Sequence, residues 1–83
     1  MEDKTSIFDI SIIKRKLINQ TIKEVCASLK ERGYNPINQI VGYLSSGDPG
    51  YISSYKDARQ KILEFDRIEV MAIILEDYLE NNE

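Results

Sequence analysis

Both prolines and all four glycines of this 83-residue chain fall between Gly33 and Arg59, together with four of the five tyrosines. That stretch, GYNPINQIVGYLSSGDPGYISSYKDAR, holds the punctuation of the fold. It reads as a helix stop, a short helix, a turn and a helix start. Gly33 suits the left-handed position after a helix, because it has no Cβ to clash. Tyr34 then folds back onto Leu29. Asn35 is an N-cap whose side-chain oxygen accepts an orphan N–H, and Pro36 fits the first helical position. Ile37, Ile40, Val41 and Leu44 follow at one-face helical spacing, and Ser45-Ser46-Gly47 ends the segment. Asp48-Pro49-Gly50 is a turn. Ser54 with Asp57 three residues on predicts a capping box for the next helix.

The flanking segments follow from periodicity. Residues 1–8 lack it and are expected to form a mobile N-terminal tail that presents Thr5 and Ser6; residues 9–83 then form a single helical domain. The first helix is expected from Asp9 or Ser11 to Arg32, with Ile18, Ile22, Val25 and Leu29 on its stripe. Lys14, Arg15 and Lys16 lie near its start, where the helix field is already positive. They read as a solvated basic face or as a dock for an anion. A third helix is expected from Tyr55 to Phe65, with Arg59 available to pair with Asp48 or Asp57. The fourth starts at Asp66, with Glu69 completing a second capping box. Its apolar residues, from Ile68 to Leu79, wrap well over half of the circumference, whereas a surface helix shows an arc of about 100°.

A chain this short buries only about 60% of its unfolded surface, so it must be stapled or borrow core from a partner. One cysteine, Cys26, excludes an internal disulfide. With the fourth helix too apolar to be covered by three short neighbours, a homodimer is expected, with Val70, Met71, Ile74 and Tyr78 at its interface. The fold class is therefore all-α, a compact bundle of about four helices in a homodimer. No cofactor is expected. The lone thiol and the acidic start without a signal peptide point to a cytoplasmic protein, and the run Val70 to Leu75 is too short to span a bilayer.

Two other function classes are weighed on the same residues. Net charge of −3 disfavours nucleic acid, since affinity for phosphate backbones comes mainly from Lys and Arg. The first two helices around Gly33 superficially resemble a helix-turn-helix, the alternative reading. Its second helix has no Arg or Lys, which leaves Asn38 and Gln39 to read bases. For an enzyme, Asp48, Asp57, Glu64 and Asp66 supply carboxylates with no paired spacing, and SSGDPG lacks the order of a P-loop. There is no histidine to activate Cys26.

Three motifs carry a resemblance: GYNPINQIVGY, then SGDP, then Tyr55, Asp57, Ala58 and Arg59 in the pattern Y-x-D-A-R. The stretch is similar to the IreB family, and the match continues more loosely through the fourth helix. The resemblance implies a compact all-α homodimer with a regulatory role. It implies a substrate of a transmembrane Ser/Thr kinase, tuned by phosphorylation in the N-terminal tail, that acts as a negative regulator of intrinsic cephalosporin resistance on a downstream protein. Thr5 stands at a position like the modified one, with Ser6 the nearest substitute; a second upstream threonine is absent. Phosphate on Thr5 is then expected to dock at Lys14, Arg15 or Lys16.

Overall fold

Ser11 starts the first helix. Its hydroxyl accepts the N–H of Lys14 at 3.1 Å, and α1 runs Ile12–Glu31. The computed structural model describes residues 11–82. These hold four α-helices and, among the described residues, no strand. The whole of the expected tail, residues 1–8, lies outside them.

The stop of α1 is closed by two backbone bonds. Gly33 N–H reaches the Lys30 carbonyl and Tyr34 N–H the Leu29 carbonyl, each at 2.9 Å. That pairing needs a left-handed residue at position 33, and Gly33 has φ of 90°. The side chain of Asn35 then accepts from Asn38 N–H at 3.1 Å, and α2 spans Pro36–Ser46. It ends at Gly47, again left-handed with φ of 80°.

The next helix departs from expectation. A single-turn 3-10 segment at Pro49–Tyr51 is followed by another at Tyr55–Asp57, and regular helix α3 spans only Ala58–Leu63. Lys56 and Asp57 are both left-handed, with φ of 51° and 61°. No regular α-helix runs through such a pair. The Ser54–Asp57 capping box does not form, since neither side chain makes a cap bond. Instead Ser53 Oγ accepts from Tyr55 N–H at 3.1 Å. The kink brings Ala58 and Ile62 into the core, where both are buried.

Helix α4 spans Arg67–Asn81. Asp66 caps it by accepting from Ile68 N–H at 2.9 Å. The other half of the expected box is diverted: Glu69 meets Lys14 Nζ at 3.0 Å. Arg67 Nη1 donates to the Leu44 carbonyl at 2.8 Å, which ties the start of α4 to the end of α2. A cation suits that end of a helix.

The buried side chains form two clusters along α1. Val25 and Leu29 pack with Ile40, Tyr43, Ile52, Ala58 and Ile62. Ile18, about two turns or more toward the start, packs separately with Val70 and Ile73 of α4. Leu44 borders both clusters.

Candidate functional site

The residues of the Gly33–Arg59 stretch hold one another. Gln39 Oε1 accepts the N–H of Ser53 at 2.9 Å. Arg59 Nε donates to the Ile52 carbonyl at 2.8 Å, so its guanidinium serves the backbone of the loop and makes no pair with Asp48 or Asp57 among the described residues. Asp48 Oδ1 accepts from Gly50 N–H at 2.9 Å. Ser46 Oγ accepts from Asp48 N–H at 3.0 Å and donates to the Gly42 carbonyl at 2.7 Å. Except for the Ser46–Gly42 contact inside α2, each bond satisfies a backbone group that no helix or sheet satisfies here. These polar residues fix a loop on α2, and Gln39 is thereby taken from any role in reading bases.

What is left over is apolar and outward. Helix α4 is apolar on two opposed faces. Val70 and Ile73 are buried against Ile18. About half a turn away, Ile68, Met71, Leu75 and Tyr78 recur at i, i+3, i+7 and i+10, with exposures of 58%, 40%, 59% and 62%. Ile74 and Leu79 flank this face and are also exposed. Its neighbouring acids, Glu69 and Glu76, are drawn to α1 by ion pairs. Spacing of three and four residues is the seam a second helix packs into, and contiguous exposed apolar surface marks interaction sites. Of the interface residues expected, Met71, Ile74 and Tyr78 lie exposed. Val70 does not: with 1% of its surface accessible, it belongs to the chain's own core. Ile68, Leu75 and Leu79, which were not among the interface residues expected, lie exposed on the same side of α4, and the heptad spacing of the first two is visible in the sequence.

The outward surface continues into a groove of about 350 Å³ between α1, α2 and α4, bounded by Ile22, Cys26, Ile37, Val41 and Ile74. Cys26 is half-buried there. Burial pushes its thiol above the ordinary range, with Lys30 opposing the shift. A thiolate nucleophile needs the reverse.

The cations at the start of α1 are engaged. Lys14 Nζ lies 3.0 Å from Glu69, and Arg15 Nη2 is paired with Glu76. Lys16 is exposed and has no carboxylate partner among the described residues. The three expected docking residues are therefore together at one end of α1, two of them held by α4. Thr5 and Ser6 lie outside the described residues.

Asp48 and Asp66 act as caps. Among the described residues no three His, Cys, Asp or Glu side chains come together as a metal site, and no helix is long and apolar enough to cross a membrane.

The family model of the IreB regulatory phosphoprotein matches residues 3–80, nearly the whole chain. That span takes in the loop network, both faces of α4 and the positions of Thr5 and Ser6. The protein described above belongs to the IreB regulatory phosphoprotein family.

Proposed function

We propose that the protein is a non-enzymatic cytoplasmic regulator that works as a homodimer and is modified on Thr5, or on Ser6, by a membrane Ser/Thr kinase. As the family resemblance implies, its output is negative control of intrinsic cephalosporin resistance through a downstream protein. The observation that carries this reading is the match to a regulatory phosphoprotein over residues 3–80. Two features of the chain support it. Its polar motif residues Gln39, Asp48 and Arg59 are taken up in holding a loop, and α4 carries an exposed apolar face of a kind that binds protein.

The ion pairs give the modification something to act on. A phosphate adds about −1.5 to −2 charges at neutral pH. It competes with Glu69 for Lys14 and with Glu76 for Arg15, and Lys16 stands beside them. Both pairs are solvent-exposed, so each contributes only about 0–1 kcal/mol, and a doubly charged anion nearby can displace a carboxylate. Docking would reorganise the seam between α1 and α4 and leave the outward face of α4 in place.

The test is phosphorylation of the full chain by the kinase, with the modified residue mapped by mass spectrometry and backbone NMR recorded before and after. The proposal expects phosphate on Thr5 or Ser6, with shifts at residues 12–16 and also at Glu69 and Glu76. Salt and Arg15→Glu reduce the shifts in α1 and α4. Phosphate placed elsewhere in the chain overturns the assignment of the site. Shifts confined to the tail overturn docking alone.

A further inference from the structure

We draw no further inference here: the strongest candidate, the apolar groove between α1, α2 and α4 bounded by Ile22, Cys26, Ile37, Val41 and Ile74, carries nothing because nothing in the structure shows what covers it.

Discussion

The ring of Tyr51 lies on the backbone of α2 at Gly42, so close that a Cβ there would stand 2.5 Å from Cδ1 and 2.9 Å from Cγ. These are atoms at the near end of the ring, so relieving the contact takes a change of χ1 that carries the whole ring off α2. Gly42 therefore has a packing role in the middle of a helix. Gly42→Ala gains about 0.5–1 kcal/mol of helix preference but forces an overpacked contact worth about 1–3 kcal/mol. We expect a net loss of stability in urea unfolding. In a Tyr51→Ala background the same change should instead stabilise. Equal effects in both backgrounds would mean that the ring does not rest there.

Gly33 is the opposite case. A Cβ at this position meets nothing within 4 Å, so a substitution there is resisted by backbone conformation alone. Gly33→Val should lose roughly 1–3 kcal/mol, because a β-branched residue is a true outlier at positive φ. Gly33→Asn should retain much of the stability, since asparagine tolerates the left-handed region. Thermal melts of the two variants decide it, and identical melting points would place the cost outside the backbone.

In the proposed homodimer, the two faces of α4 separate dimerisation from folding. Leu75→Asp places a charge on the outward face, where burial by a partner is worth roughly 1.5–3 kcal/mol per side chain, counted twice across a two-fold axis. Light scattering should show a folded monomer, with helical circular dichroism retained. Val70→Asp buries a charge in the chain's own core and should unfold it. A Leu75→Asp protein with the mass of an unchanged dimer, or a wild-type monomer at high micromolar concentration, removes this face from the interface.

The kink before α3 carries an ion pair whose pH dependence has a definite sign. Lys56 Nζ sits 2.8 Å from Glu31. Its hydrogen bond and charge hold the Glu31 carboxyl below the ordinary value of 4.5. Glu31 in turn holds the Lys56 ammonium above 10.5. The Glu31 contribution is thus present above the ordinary carboxylate value and is lost as pH falls through the lowered one. The Lys56 contribution is present below the ordinary lysine value and is lost as pH rises through the raised one. Lys56→Met should narrow its stability gap to wild type on both limbs and show the largest gap between them. Both groups are exposed, so the gap is small and shrinks in salt. A gap that is flat with pH would assign any effect of the substitution to the backbone.

What the sequence made legible was local. The stop at Gly33 and the start at Asn35-Pro36 are set by residues within a few positions of one another, and the spacing alone located them. The start of α3 was not legible, because Lys56 and Asp57 adopt left-handed conformations in a kink that also brings Ala58 into the core and Lys56 to Glu31. Glu69 looked like a capping residue because nothing nearby in sequence announces Lys14. Periodicity showed that α4 was apolar round well over half of its circumference. It could not show which half faced inward, since Val70 and Leu75 differ only in whether Ile18 comes to meet them.

Helix α4 is joined to the body through a cluster whose fully buried members are Ile18, Val70 and Ile73, the Arg67–Leu44 hydrogen bond and two partly exposed ion pairs, whereas α1, α2 and α3 share the larger cluster. Local opening free energies follow the depth of such contacts, so the amides of α4 are expected to exchange with solvent before those of α1 and α2. Whatever seats itself on the outer face of α4 binds the ordered helix and not the opened one. Occupancy of that face and the intactness of the helix are then one linked equilibrium, in which a partner's concentration sets how often α4 is open.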